Sequence, residues 1–189
     1  MKTSLLILVG FCFINAAAAQ EQKLEKVSFR SINLVGAVTG TQRDAPIIQT
    51  INGFALKTWS TGIGVGIDGY SERSIPLFID VRKSFGNGFN KAFVYVDGGI
   101  NFAWPNFIQR ENSSFPNYEQ PSWYYDTGLG WKIPLGTKSA FLLSGGFTLK
   151  QLKGERSAYG PGIGGRFHEY KQKFENTYRR ISVKIGVEL

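Results

Sequence analysis

Ten ionisable side chains recur at alternate positions of apolar segments, and their chemistry is the most distinctive in the sequence. Five are acidic and five are basic: Asp68, Asp80, Asp97, Asp126 and Glu188, and Arg82, Lys132, Lys150, Arg180 and Lys184. Alternate side chains of a β-strand point to the same face of a sheet. Charges held away from water must pair with opposite charges and form hydrogen bonds. We therefore predict a neutral salt-bridge network on one sheet face and no metal site.

A second group of residues has the types needed for acyl transfer. Lipid acyltransferases and deacylases require a histidine near a serine and a carboxylate. His168 is the only histidine of the chain, Glu169 follows it, and Ser157 precedes it on the same predicted loop. Their spacing matches no known motif, so a solvated loop histidine is the preferred interpretation and a lipid A-modifying enzyme is the alternative. We predict no catalytic residue and no cofactor.

The elements that must position these residues are strands, because bulky apolar residues alternate with small or charged ones at period two. No segment approaches the ~20 consecutive apolar residues of a membrane helix. We predict eight strands near 30–39, 47–56, 59–68, 75–82, 94–102, 123–133, 141–149 and 181–189. An even number of antiparallel strands can close into an up-and-down barrel, and the segment lengths suit a transmembrane one.

The two faces of the predicted strands indicate which side faces lipid. One face is bulky and continuously apolar, whereas the glycine-and-charge face looks too small to fill a core alone. In a transmembrane barrel the apolar face points outward and the polar face lines the lumen. An eight-stranded lumen is only wide enough to be filled by side chains. We therefore expect a salt-bridged, closed lumen, with a narrow pore as the alternative.

Connection lengths support this topology, since outer-membrane barrels have short periplasmic turns and longer external loops. Three short periplasmic turns are predicted at 57–58, 86–91 and 135–138. External loops are predicted at 40–45, 71–73, 103–121 and 151–177, and the last two are the long ones. Aromatic residues near predicted strand ends are expected to form interfacial girdles: Trp59, Tyr70, Phe85, Trp104, Trp123, Trp131 and Tyr178.

The N-terminal segment predicts export. A positive start, an apolar core from Leu5 to Ile14 and small residues at Ala17 and Ala19 match a secretory signal peptide with an A-x-A cleavage site. We predict a signal peptide over 1–19 and one barrel domain over 20–189. The only cysteine, Cys12, lies within the predicted signal peptide, so disulfides and thiolate metal sites are not expected in the mature chain.

Four segments carry a resemblance to a known family: 75–82 (IPLFIDVR), 93–99 (FVYVDGG), 128–135 (GLGWKIPL) and 181–189 (ISVKIGVEL). Together they resemble the small outer-membrane β-barrel proteins of the OmpA-like, porin-superfamily type. This resemblance implies the outer membrane of a Gram-negative bacterium, insertion by the barrel-assembly machinery, and usually no assigned activity.

The two long loops are the predicted interaction surface, because they carry interleaved basic and aromatic residues. The candidate residues are Phe107, Phe115, Tyr118, Arg156, Tyr159, Arg166, Phe167 and Tyr170. Basic groups at this height would meet lipopolysaccharide phosphates. Nucleic acid is not an expected partner of an exported barrel, despite the pI of about 9.6.

The sequence thus predicts a structural or surface-interaction barrel whose external ligand is unknown. A narrow pore or small-solute transporter is the second interpretation and a lipid-modifying enzyme the third. A soluble lipocalin-like carrier of apolar ligands is a further alternative, and it requires the apolar face to point inward.

Overall fold

The structure, a computed structural model, describes residues 27–41, 43–86, 91–104, 117–136, 139–161 and 167–189. These residues form a single antiparallel sheet of nine strands. The strands are β1 (Ser28–Gly40), β2 (Ala45–Leu56), β3 (Trp59–Asp68), β4 (Ser74–Phe85), β5 (Lys91–Ala103), β6 (Asn117–Gln120), β7 (Ser122–Pro134), β8 (Ala140–Pro161) and β9 (Phe167–Glu188). Among the described residues, no helix has the length and hydropathy needed to cross a membrane.

The sheet closes on itself because β9 pairs with two strands. One edge of β9 pairs with β8, and residues 180–188 of its other edge pair with β1. Ser31 and Leu189 exchange two backbone hydrogen bonds, of 3.0 and 2.8 Å, at this closure. The eight long strands therefore form a closed antiparallel barrel, whereas the short β6 pairs only with β8 above the barrel wall. This confirms the predicted fold class.

The barrel has two unlike ends. At the first, which we call the turn end, Lys57 adopts a positive φ of 57° in the tight turn between β2 and β3. The connection between β7 and β8 is also short there, and the backbone N–H of Leu135 donates to the carbonyl of Ser139 at 2.9 Å. At the opposite end, which we call the hairpin end, β8 and β9 continue well beyond the other strands.

The prediction of a loop over 151–177 is wrong. The β8–β9 ladder continues from the pair Gln151 and Thr177 to the pair Pro161 and Phe167. Hydrophobic alternation does not reveal this extension, because its sequence lacks a sustained run of alternating apolar residues. Opposite charges face each other instead, since Lys153 pairs with Glu175 and Glu155 with Lys173. We call residues 151–161 and 167–177 the projecting hairpin.

The two faces of the barrel wall follow the predicted alternation. Most outward side chains are large, apolar and exposed, and Ile63 reaches 66% exposure. The residues between them on each strand are buried in the lumen. The reason is steric, because successive side chains of a strand alternate across a wall one residue thick.

The expectation that the inward face is too small to fill a core is wrong. β1 and β2 contribute Leu34 and Ile51, and other strands contribute Phe78, Tyr95 and Tyr124, all buried in one cluster. Inward glycines make room for these rings. A Cβ atom on Gly64 would lie 2.3 Å from the ring of Phe78, its cross-strand partner. Large inward side chains therefore pack against glycines within the lumen.

Two of the predicted girdle aromatics have different positions, because Tyr178, on the same side of β9 as the buried Arg180, packs against the buried Tyr70. Trp59, Phe85, Trp104, Trp123 and Trp131 are exposed near strand ends, as expected of a girdle. Tyr70 instead is fully buried, and its ring meets that of Tyr178 edge to face at 5.8 Å. Tyr70 follows the end of β3, where strand alternation no longer sets the direction of a side chain, and the turn carries it over the lumen.

Gly64→Ala is expected to lower the free energy of unfolding by about 1–3 kcal/mol, as an overpacked core does. Gly98→Ala is the matched control, because no atom lies within 4 Å of a Cβ at that outward position. Urea titration of the refolded barrel in detergent micelles measures both changes. Equal losses in the two variants would contradict the packing argument.

Candidate functional site

The ten predicted charges all point into the lumen. Nine are buried, and Lys132 is partly exposed near the turn end. They occur in three clusters along the barrel axis, together with tyrosines and one further arginine.

The hairpin-end cluster is centred on Asp68. Its carboxylate accepts a hydrogen bond from Arg180 and lies 3.5 Å from the Nζ of Lys150. Asp68 also accepts the backbone N–H of Tyr70 at 2.9 Å, and Lys150 donates to the carbonyls of Tyr70 and Glu72 at 2.9 and 2.7 Å. Arg180 lies over the Tyr70 ring at 5.2 Å. The cluster therefore ties the turn between β3 and β4 across the mouth of the lumen.

The middle cluster is centred on Asp126. One carboxylate oxygen accepts from Lys184 at 2.7 Å and from the Tyr124 hydroxyl at 3.2 Å, and the other accepts from Tyr95 at 3.0 Å. Gln49 extends this cluster, because its amide donates to Tyr124 at 2.9 Å and accepts from Lys184 at 3.1 Å. The middle cluster therefore joins side chains from four different strands, β2, β5, β7 and β9.

Strand direction alone places Asp126 at the depth of Asp68, but in the structure Asp126 lies in the middle of the barrel beside Lys184. Lys184 donates to Asp126, whereas neither oxygen of Asp97 has a hydrogen-bond partner among the described residues. The register explains this, because Asp97 lies opposite both Asp80 and Asp126 on its neighbouring strands. Three aspartates thus form a row around the wall, a relation that strand order alone does not reveal.

The turn-end cluster contains two acidic residues. Arg82 donates to Asp80 at 2.7 Å and packs over the rings of Phe93 and Tyr95 at 5.4 Å each. Glu188 accepts hydrogen bonds from both Lys132 and Arg30. Arg30 is absent from the predicted network. Its position, two residues before the inward Ile32, is the sequence signal that would have placed it in the lumen.

The charged groups of the lumen are paired mainly with one another, which leaves little of their charge to bind a ligand. Most of the buried cations have an acidic partner within the barrel, and no group of three or more metal-binding side chains occurs among the described residues. Buried ion pairs of this kind lose most of their attraction to desolvation, but removing one partner leaves a costly buried charge. The network therefore fixes the arrangement of the lumen.

Most side chains of the predicted loop surface lie outside the part of the chain that the structure describes. Phe107, Phe115 and Arg166 are not among the described residues. Only the backbone is described for Tyr118, Arg156, Tyr159, Phe167 and Tyr170, which belong to β6, β8 and β9. The predicted signal peptide over 1–19 also lies outside the described residues.

The backbone register is relevant to the acyl-transfer alternative. His168 pairs with Gly160, whereas Ser157 pairs with Lys171. Three residue positions separate the two pairs, which corresponds to about 10 Å along a ladder. The strand pairing therefore does not bring the histidine and the serine to neighbouring positions.

The described base of the projecting hairpin carries two cross-strand ion pairs. Lys153 lies 3.6 Å from Glu175, and Lys173 lies 3.3 Å from Glu155, both across the β8–β9 ladder. Exposed pairs of this kind contribute about 0–1 kcal/mol each. Opposite charges facing each other still favour one strand register.

Comparison with solved structures identifies the fold. The chain superimposes on the crystal structure of Neisserial surface protein A (NspA) with a TM-score of 0.58 and 11% identity, covering 87% of this chain and 99% of that one. It superimposes on the outer membrane protein OprG from Pseudomonas aeruginosa with a TM-score of 0.57 and 11% identity, covering 87% and 97%. No family model and no curated sequence matches the chain.

The chain has the fold of an eight-stranded outer-membrane barrel. The identity of 11% supports a common fold and nothing finer. The recognition of a small outer-membrane β-barrel from the sequence is confirmed at this level.

Lys184→Met is expected to lower the free energy of unfolding by about 3–5 kcal/mol, because Asp126 then stays buried without its cation. Lys173→Met, in the exposed pair with Glu155, is the matched control and is expected to cost about 1 kcal/mol or less. Adding Asp126→Asn to Lys184→Met should recover part of the loss. Urea titration in micelles measures all three, and similar losses at positions 184 and 173 would refute the assignment.

Proposed function

We propose that this chain is an integral protein of the bacterial outer membrane, with a closed lumen, that acts at the cell surface through its projecting hairpin. The single observation that carries the proposal is the contrast between the barrel and the hairpin that projects from it. An apolar wall surrounds a lumen filled with paired charges, and one hairpin extends far beyond that wall. The hairpin end is then external, the turn end is periplasmic, and residues 1–19 are the cleaved export signal.

The outward surface supports insertion into a membrane. Exposed Val, Ile, Leu and Phe side chains cover every long strand, and tryptophans lie toward both ends. Soluble proteins rarely expose apolar patches larger than a few hundred Å². An apolar band with aromatic girdles is the pattern of a barrel in contact with lipid. A lipocalin-like carrier would need these side chains inside, where the structure has charges and rings.

The burial of the lumen side chains supports a closed barrel. Tyr70, Lys150 and Arg180 near the hairpin end and Tyr95, Tyr124 and Lys184 in the middle each have an exposed fraction below 2%. A water-filled channel along the axis would expose the residues that line it. The turn that carries Tyr70 adds a second barrier at the mouth. The proposal therefore favours a plug over the pore alternative.

The projecting hairpin supports a role in surface interaction. On β9, residues 167–179 pair with β8, while pairing with β1 begins only at Arg180. One edge of the hairpin above the barrel is therefore open within the described residues. An open strand edge presents backbone N–H and C=O groups that an extended segment of a partner can bind. Lipopolysaccharide beside the basic residues and the barrel-assembly machinery during insertion are the other partners in this proposal.

Fractionation tests the membrane assignment. The full chain expressed in a Gram-negative host should be recovered in urea-washed outer membranes, and its mobility in SDS gels should shift on boiling. The physical reason is that a closed barrel keeps its hydrogen-bond ladder in SDS until it is heated. A soluble protein without heat-modifiable migration would overturn the proposal.

Cysteine labelling tests which end is external. Lys173→Cys in the hairpin is expected to react with a membrane-impermeant maleimide on intact cells, and Lys91→Cys at the turn end is expected to react only after lysis. Both lysines are exposed, and the only native cysteine, Cys12, lies in the predicted signal peptide. Labelling of position 91 on intact cells would show that the turn end is external, and would contradict a hairpin at the cell surface.

Conductance in planar bilayers tests the closed lumen. The unmodified protein is expected to give no reproducible open steps, whereas Tyr70→Gly combined with Lys150→Ala is expected to give them, because these changes remove the plug at the mouth. Lys173→Ala is the control outside the lumen. Steps from the unmodified protein would favour the pore alternative instead.

A further inference from the structure

Four polar side chains form a block on the outward face of β1 and β2. Ser31 lies opposite Asn52, and Asn33 lies opposite Thr50. We call these four residues the polar seam. All four side chains lie on the same outward face of the strands as exposed apolar neighbours such as Val35 and Ile48. The seam therefore lies on the wall that the proposed function assigns to lipid, and the inference below depends on that assignment.

The seam is enclosed by apolar residues along the strands. Toward the turn end it is bordered by Phe29 and Phe54, whose rings meet edge to face at 5.8 Å. Toward the hairpin end it is bordered by Val35 and Ile48, which are also register partners. Asn33 and Thr50 lie near the midpoints of their strands. The seam is thus inside the apolar band and not in the headgroup region.

The opposite wall of the barrel has no such block. Its outward side chains on β5, β7 and β8 are apolar at mid-strand, including Val94, Val96, Ile100, Leu129, Leu143 and Phe147. Thr127 is polar, but its hydroxyl donates to the backbone carbonyl of Tyr95 at 3.0 Å. Thr127 shows that an outward polar group of this protein can find a hydrogen-bond partner on its own wall.

The hydrogen-bonding capacity of the seam is only partly used. The Thr50 hydroxyl donates to the Oδ1 of Asn33 at 2.9 Å. Within the described residues, the Asn33 amide nitrogen and the Asn52 side chain have no hydrogen-bond partner. Acyl chains cannot supply one, and an unsatisfied polar group in hydrocarbon is costly. The seam therefore requires a partner that presents donors and acceptors at mid-membrane height.

The shape of this region suits a packed partner. A groove of about 630 Å³ runs over β1, β2 and β3 and is lined by Asn33, Thr50, Val35, Ile48, Val65 and Ile67. Asn33 and Thr50 of this outward face line it beside larger apolar side chains. Close approach at small residues combined with interchain hydrogen bonds is what drives association inside membranes, where apolar burial contributes little.

We propose that the polar seam is the interface with a second copy of this chain. Each asparagine amide is both donor and acceptor, so the seam complements itself when a two-fold axis passes through it. A second copy in the same membrane presents the same groups at the same depth. In this arrangement the amides of Asn33 and Asn52 bond across the axis while Val35 and Ile48 pack beside them.

Single-cysteine crosslinking in membranes tests the interface. Val35→Cys lies beside the seam, and Val96→Cys is the matched control on the opposite wall, with exposed fractions of 50% and 44% for the native valines. Urea-washed outer membranes are treated with a short thiol-specific crosslinker and analysed by SDS gel. We expect a band of twice the chain mass from position 35 and none from position 96.

Variants that remove polar side chains of the seam, made in the Val35→Cys background, test whether its hydrogen bonds hold the two copies together. Asn33→Leu with Asn52→Leu is expected to lower the crosslinked yield by about threefold or more, the effect of losing hydrogen bonds in a membrane. Thr127→Val is the control and should leave the yield unchanged. Heat-modifiable mobility shows that each variant folds.

The possible failures are distinguishable. Recovery of the protein outside the membrane fraction overturns the proposed function itself. Membrane-embedded, heat-modifiable protein that gives no dimer band, or equal bands from positions 35 and 96, overturns the interface alone. A crosslinked band of any mass other than twice the chain shows that a different protein covers the seam, and it also overturns the second-copy proposal.

Discussion

Closure of the hydrogen-bond ladder is the constraint on which the rest of the structure depends. Backbone groups facing hydrocarbon have no water to bind, so a sheet in a membrane must leave no open edge. β9 meets this requirement by pairing with β8 along one edge and with β1 along part of the other. Closure at eight strands also sets the width of the lumen, and that width determines which side chains fit inside.

The narrow lumen explains the combination of residues within it. Rings from Phe78, Tyr95 and Tyr124 occupy the volume that inward glycines vacate, and the charged side chains fill the spaces between these rings. Tyrosine serves both purposes, because its ring packs while its hydroxyl donates to Asp126. The tyrosines thus join the packing of the lumen to its electrostatics, and substitutions among these residues should not be additive.

The parts of β8 and β9 that form the projecting hairpin have different physical requirements from the barrel wall. Once β8 and β9 extend beyond the apolar wall, an open edge becomes tolerable, because water can bind the backbone groups there. The hairpin uses cross-strand pairs of opposite charge, such as Lys153 with Glu175, in place of apolar contacts. Charged side chains on an open edge also discourage unspecific strand pairing. The same two strands therefore form part of the apolar barrel wall in one half and the projecting hairpin in the other.

Much of the fold could be predicted from residue order, because the pattern that specifies a strand in a thin wall is local. Period-two alternation determined the eight barrel strands, the apolar outer face and the inward direction of residues such as Asp68, Asp126 and Lys184. What only the tertiary structure decided is which of these residues meet. The pairing of Lys184 with Asp126, the inward turn of Tyr70, the inclusion of Arg30 and the grouping of Asn33 with Thr50 all depend on register and closure. Register joins residues that are far apart in the chain, and alternation within one strand carries no information about its neighbours.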